Sequence, residues 1–169
     1  MALFTESADV SVRPAQPEDV DAVTDVQLAA WRLSHDSVLG EDVMAALDVA
    51  RMREQWAAAI TAPPGPGFAV FVACRRADVV GFAAVGPGQI VALEVLPEEQ
   101  RSGHGSRLLS AAVDRIRADG ADEVSTWVLD EDPAREQFLS GAGLGPDGRR
   151  RTLATGVRDV TEARWSAEL

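Results

Sequence analysis

The 169-residue chain has no tyrosine, a single cysteine, two histidines and no long apolar run. Each shortage removes a class of function. Without tyrosine, no phenol can donate a proton anywhere in the molecule. With Cys74 alone, an internal disulfide is excluded. Cys74 sits in the apolar alternating stretch FAVFVACRR and reads as a buried structural thiol rather than a nucleophile. His35, His104 and Cys74 lie far apart and show no metal-ligand spacing, so no metal is expected. No run reaches the ~18 apolar residues of a membrane span. The opening MALFTESADV lacks the basic start and apolar core of a signal peptide. A cytoplasmic location without a membrane partner is the expectation. Positive charge is also scarce, with 16 Lys+Arg against 27 Asp+Glu and a net charge of −11. Duplex binding needs a basic stripe for phosphate contacts. The only basic run, RRR at 149–151, reads as a solvated loop or strand end, so no nucleic-acid partner is expected. The acidic balance suits solubility, and more weakly a small cationic substrate.

What remains is ordinary for a globular protein: 46% apolar and 25% charged residues. The length suits one domain with one core, expected over 1–169 with ordered structure from about 10 to 166. A short alternating strand at 10–13 leads to Pro17, Glu18 and Asp19, a proline and two acids suited to a helix start. Val20, Val23, Ala30 and Trp31 recur at helical spacing. A second helix is expected from about 42 to 60, with Met44, Leu47, Met52 and Trp56 among its apolar positions, and APPGPG at 62–67 ends it. Three Val-rich runs then follow, split by RRAD and GPGQ, and read as antiparallel strands joined by hairpins. Leu108, Leu109, Ala112, Val113 and Ile116 mark one face of the next helix. EVSTWVL is a strand; DPAREQFLSGAG is a short helix with Asp132 as N-cap, Pro133 at its first position and Gly141 or Gly143 beyond its end. Residues 149–155 and 157–166 are candidates for a last pair of strands. The fold class is mixed α/β, and the strands at 90–96 and 123–129 should be parallel neighbours in a βαβ unit.

Gly103 and Gly105 stand between a strand and a helix. The first N–H groups of a helix lack partners, and the helix dipole makes that end positive. Glycines let an anion approach the bare backbone closely. A tight structural turn needs glycine as well, and the spacing does not separate the two. The Gly-Lys-Ser or Gly-Lys-Thr of a P-loop is absent, as is the third glycine of the dinucleotide fingerprint.

VLPEEQRSGHGSRLL resembles the acyl-CoA-binding motif of the GNAT superfamily of N-acetyltransferases: Gln or Arg, two residues, Gly, one residue, then Gly or Ala. Here these are Gln100, Gly103 and Gly105, after a strand ending Val95-Leu96-Pro97. VRPAQPEDVDAV is similar to the family's first strand and helix, and DPAREQFLSGAGL to its later signature. The resemblance implies a GNAT-like fold: a mostly antiparallel sheet with a central, splayed parallel pair and helices on both faces. It implies acetyl-CoA as co-substrate. The turn formed by Gln100, Arg101, Ser102, Gly103, His104, Gly105 and Ser106 would hold its pyrophosphate, with Asp132 and Phe138 of the later signature nearby. The backbone of Val95 would bind the pantetheine arm and polarise the thioester carbonyl. Three positions depart from the family. Arg101 replaces a common glycine, Asp132 replaces an asparagine, and the Phe138-Leu139 pair lacks the tyrosine that in many relatives protonates the leaving thiolate.

Acetyl transfer to an amine needs a proton acceptor. Glu94, the only charge in QIVALEVLP, is the candidate base; it alternates away from Leu93 and Val95 and should face the cleft. A partly exposed strand carboxylate, or one paired with an arginine, is the alternative. Trp31 and His35 are candidates for the acceptor pocket, which the segment 31–66 should shape; core packing and surface exposure are their respective alternatives. His104 could touch phosphate or lie in solvent. The expected activity is N-acetyl transfer to a primary amine of a small molecule or peptide, by direct attack in a ternary complex. The competing expectation is a non-catalytic acyl-CoA sensor or partner module. A homodimer is left open.

Overall fold

The computed structural model describes residues 10–34 and 40–169. In chain order, β1 (Val10–Pro14) and a 3-10 turn (Pro17–Asp19) lead into α1 (Val20–Ser34), α2 (Glu41–Ala45) and α3 (Val49–Thr61). Three strands follow, β2 (Ala69–Arg75), β3 (Asp78–Gly86) and β4 (Gln89–Val95). A second 3-10 turn (Pro97–Glu99), α4 (His104–Ala118), β5 (Glu123–Leu129), α5 (Pro133–Gly141), β6 (Gly145–Ala154) and β7 (Asp159–Glu168) complete the chain.

The strands form one mixed sheet in the order β1-β2-β3-β4-β5-β7-β6. Every neighbouring pair is antiparallel except β4–β5, as the βαβ spacing requires. Apolar stripes decide the layers. Leu108, Leu109, Ala112 and Ile116 of α4 are buried on one face against Ala83, Ile90, Leu93 and Val95. On the other face Val23 and Val26 of α1 meet Val72, Cys74 and Phe82. Trp56 of α3 joins them edge-on to Phe82 at 4.8 Å, its indole N–H donating to Gln27 at 2.8 Å. Burial pushes the Cys74 thiol up, which keeps it a thiol. Among the described residues no helix is long and apolar enough to cross a membrane.

The single helix expected at 42–60 is two. The Asp48 carboxylate accepts from the amide of Arg51 at 3.0 Å and caps α3, so the chain restarts there. β6 begins at Gly145, earlier than expected, because it pairs with β7 across an irregularity between Pro146 and Arg150. The RRR run lies exposed on this strand, with Arg151 over the Trp127 ring at 4.3 Å.

Asp19 locks the entry to α1. It accepts two bonds from Arg13, at 2.7 and 3.0 Å, and one from the amide of Gln16 at 2.8 Å. Those bonds, Arg13 foremost, hold its carboxyl below the ordinary range despite burial. That stability is present above the unfolded-state pKa and is lost as pH falls through the folded one. Asp19→Ala should cost about 2 kcal/mol, read by urea denaturation at pH 7, and the deficit should shrink in acid.

β4 and β5 share one register pair, Gln89↔Ser125, and then part. Toward Val95 and Leu129 they leave a V in the centre of the sheet.

Candidate active site

The V opens at the end where α4 begins. Leu96 donates to Val80 O across β3–β4, and bonded pairs alternate along an antiparallel ladder. Leu93 and Val95 therefore direct their N–H and C=O groups away from β3, into the gap. Side chains take the carbonyls on this edge. Thr126 Oγ1 donates to Ile90 O at 3.0 Å, Arg135 Nη1 to Leu93 O at 2.5 Å, and Gln100 Nε2 to Val95 O at 3.3 Å. A pairing strand would have made those bonds through its main chain, so the V is held apart by side chains that substitute for it.

At the mouth of the V the chain turns sharply. Gly103 has φ +85° and is the N-cap of α4; Arg101, at the position of a common family glycine, also adopts a left-handed φ of 62°. The first bond of the helix runs from Arg107 N to Gly103 O at 3.1 Å. Among the described residues, no protein group accepts a hydrogen bond from the amides of 101–106. Six amides at the positive end of a helix thus stay unclaimed. They border a cleft of about 720 Å³ lined by Val95, Gln100, Arg101, Gly103, Gly105 and Ser106 on one side. Ala30 and Leu33 of α1 and Glu131, Asp132, Arg135, Gln137 and Phe138 form much of the rest. A Cβ on Gly105 would lie 3.5 Å from the Phe138 ring, so the cradle is closed on that side by an aromatic wall.

One expectation needs correction. His104 does not face solvent or the phosphate cradle through its side chain: the ring is 1% exposed. His104 is the first residue of α4 and shares a helical face with Leu108, Ala112 and Ile116, which are core. Its Nε2 lies 3.7 Å from Glu99, itself bridged to Arg75 at 3.0 Å, and neither ring nitrogen has a hydrogen-bond partner. An unpartnered buried imidazole costs about 1–3 kcal/mol. His104→Leu should therefore raise the melting temperature while acetyl-CoA affinity, measured by calorimetric titration, changes by less than about twofold, since only the main chain of this residue borders the cradle.

Glu94 faces away from α4 and lines the cleft, as alternation predicts; it is buried rather than partly exposed, and it is paired with an arginine. Arg135 Nη2 donates to Glu94 Oε2 at 2.9 Å. Burial is the main influence and lifts the carboxyl above its ordinary range. The charge and hydrogen bond of Arg135 pull it back, neighbouring Asp132 pushes it further up, and a hydrogen bond from Trp31 lowers it. Trp31, proposed from sequence as a pocket residue, thus meets the candidate base directly. His35 lies outside the described residues. Asp132 caps α5 as expected, accepting from the amide of Arg135 at 3.0 Å.

Arg135 is the residue that sequence reasoning missed. It lies 41 positions from Glu94, in the first turn of a helix whose cap drew the attention, and nothing in DPAREQ marks it. Among the described residues no group of three His, Cys, Asp or Glu side chains is placed to hold a metal.

Comparison with known proteins agrees with this geometry. Residues 28–143, more than half of the chain, match the family model described as the acetyltransferase (GNAT) family. The chain is 27% identical over 135 residues to the uncharacterised N-acetyltransferase YuaI of Bacillus subtilis (strain 168), covering 74% of this chain and 75% of that protein. Two solved structures share the fold. A GCN5-related N-acetyltransferase from Rhodopseudomonas palustris superposes with a TM-score of 0.79 at 21% identity, over 94% of this chain and 95% of its own. The PaiA N-acetyltransferase of Thermoplasma acidophilum, solved in complex with coenzyme A, gives 0.77 at 14% identity, over 95% and 99%.

Proposed function

The chain belongs to the GNAT acetyltransferase family, and from that premise we propose that it moves an acetyl group from acetyl-CoA to a primary amine of a small molecule or peptide. The observation that carries this reading is the row of unclaimed amides at 101–106 beneath a V with no strand in it. The diphosphate of the co-substrate binds those amides, with Arg101 at the rim. The pantetheine arm enters the V and pairs with Val95, whose N–H points into the gap; Gln100 must release Val95 O if that carbonyl joins the pairing. Phe138 walls the arm on the far side.

Transfer is direct. The acceptor's ammonium gives a proton to Glu94, through water or by contact. The amine lone pair attacks the thioester carbonyl, and the Val95 amide supports the oxyanion. Collapse breaks the carbon–sulfur bond and expels the thiolate, and the second amine proton reaches sulfur through water, because the chain has no tyrosine to supply it. Trp31 contributes to the acceptor side.

A screen of primary amines for release of free CoA tests this. The sequence contains no lysine, so release cannot arise from self-acetylation at a side-chain amine. Turnover with any amine, together with thermal stabilisation by acetyl-CoA, supports the reading; no stabilisation at millimolar acetyl-CoA overturns it. One observation favours a second reading, an acyl-CoA sensor without turnover: the candidate base is already engaged by Arg135. Stabilisation by acetyl-CoA with no CoA release across the library supports that reading instead.

A further inference from the structure

A cation is fixed inside the V. The Arg135 guanidinium donates to Leu93 O at 2.5 Å and to Glu94 Oε2 at 2.9 Å. The two bonds reach different parts of β4. Leu93 O lies on the strand edge that faces the gap, and the Glu94 side chain lines the cleft. Neutralising Glu94 accounts for the second bond only. The first carries the charge to the edge where no strand pairs. Leu93 O and the Val95 N–H are successive groups of that edge, within one two-residue repeat of about 7 Å. A guanidinium has several N–H donors in one plane, and these two bonds use only part of them. The side chain is 22% exposed and lines the cleft, so the group borders that space rather than being sealed behind it.

We propose that Arg135 is a catalytic residue of acetyl transfer: its guanidinium stabilises the negative charge that develops on the thioester, first on the carbonyl oxygen and then on the sulfur of CoA. The inference rests on the reading of the chain as an acetyltransferase and names the group that receives the leaving thiolate. The sequence sets the need. Without tyrosine no phenol can protonate the sulfur, and a thiolate expelled beside Leu93, Val95 and Phe138 carries a desolvation cost. A guanidinium supplies charge and hydrogen bonds rather than a proton, so water still delivers the proton that neutralises the sulfur. Two anchors on β4 hold the group before substrate arrives, and a fixed donor needs no rearrangement when charge appears. The pair with Glu94 times the effect. While Glu94 is ionised, it engages the cation. As the proton of the acceptor's ammonium moves to Glu94, that carboxyl becomes neutral and the charge of Arg135 is left for the oxygen and sulfur. The nitrogen lone pair forms the carbon–nitrogen bond, the carbon–sulfur bond breaks, and its electron pair goes to sulfur.

Coenzyme A itself is the probe, and no acceptor is needed. The ultraviolet absorbance of its thiolate, taken as a difference against the ligand-free protein, reads the titration of the bound thiol. Cys74 is buried with its thiol pushed up, and it cancels in the difference. Glu94→Gln is the background, because an unpaired Glu94 would itself raise the thiol by like-charge repulsion. In that protein the midpoint should lie about one pH unit below that of free CoA. Adding Arg135→Gln should return it to the free value. Arg135→Lys, which keeps a charge but not the fork, should hold part of the shift. CoA affinity at pH 7, by calorimetric titration, should stay within about threefold across these variants. With an amine found in the screen, Arg135→Gln alone should lower kcat about a hundredfold and leave KM for acetyl-CoA within about threefold. A thiol midpoint that is the same with and without Arg135 overturns the proposal, as does undiminished kcat in Arg135→Gln. No binding of CoA to the native protein overturns the acetyltransferase reading itself, and the role of Arg135 falls with it.

Discussion

Gly103→Asp should abolish acetyl-CoA binding. The added carboxylate sits at the N-cap of α4, among the unclaimed amides proposed to receive the diphosphate. Two unit charges of like sign about 4 Å apart repel by roughly 4 kcal/mol at the effective dielectric of a protein surface. That is about a thousandfold in affinity, enough to remove the ~2.7 kcal/mol of stabilisation that ligand at a hundred times its Kd confers. The substitution also strains the backbone, because Gly103 has φ +85° and a Cβ there would lie 2.7 Å from Arg107 Nη1. The guanidinium is an exposed, flexible end and can move. Left-handed strain of about 1–2 kcal/mol is common to Gly103→Ala, which carries no charge. Calorimetric titration of both variants separates the effects: alanine should lose about tenfold at most and aspartate should show no binding. Equal affinity in Gly103→Asp and the native protein would place the diphosphate elsewhere.

Glu94→Gln should lower kcat/KM about a hundredfold or more, within the usual contribution of a general base. Glutamine can still accept from Arg135 and Trp31, and Arg135 keeps 22% of its side chain in solvent, so its charge is not stranded. Acetyl-CoA affinity should therefore stay within about twofold, which separates loss of chemistry from loss of the site. Stability supplies an independent reading. Glu94 titrates above the ordinary carboxylate range in the folded state, so the fold binds that proton more tightly than the unfolded chain does. Its contribution is full below the unfolded-state pKa and is lost as pH rises through the folded one. Glutamine cannot ionise. Relative to the native protein, Glu94→Gln should gain stability as pH rises across that window, measured by melting temperature from pH 4 to 8. Native-like turnover in this variant would return Glu94 to a purely structural role.

Local signals carried most of the architecture. Val-rich runs split by short turns became β2, β3 and β4, and Asp132-Pro133 became the start of α5, because alternation and capping act over a few residues. The burial of His104 was also legible, since four-residue steps lead from it to Leu108, Ala112 and Ile116; the flanking glycines drew attention to the turn instead. The break before α3 was less so. Asp48 interrupts a run of good helix formers, and whether an aspartate caps or is tolerated depends on which packing the two halves reach.

From the sequence alone came the order of elements apart from the break before α3, the pairing direction of β4 and β5, the glycine turn at the head of α4, and Glu94 on the strand face opposite that helix. The turn and the strand face follow from residues within one helix turn or one strand repeat of each other, and the pairing direction from the strand–helix–strand order. Only the tertiary structure decided that Glu94 is gripped by Arg135 and that Thr126 and Arg135 occupy carbonyls of the open edge. The Arg135 and Thr126 contacts join β4 to α5 and β5 across tens of residues. They exist because the sheet parts at its centre, and no stretch of chain short enough to carry a periodic signal contains both sides of the gap.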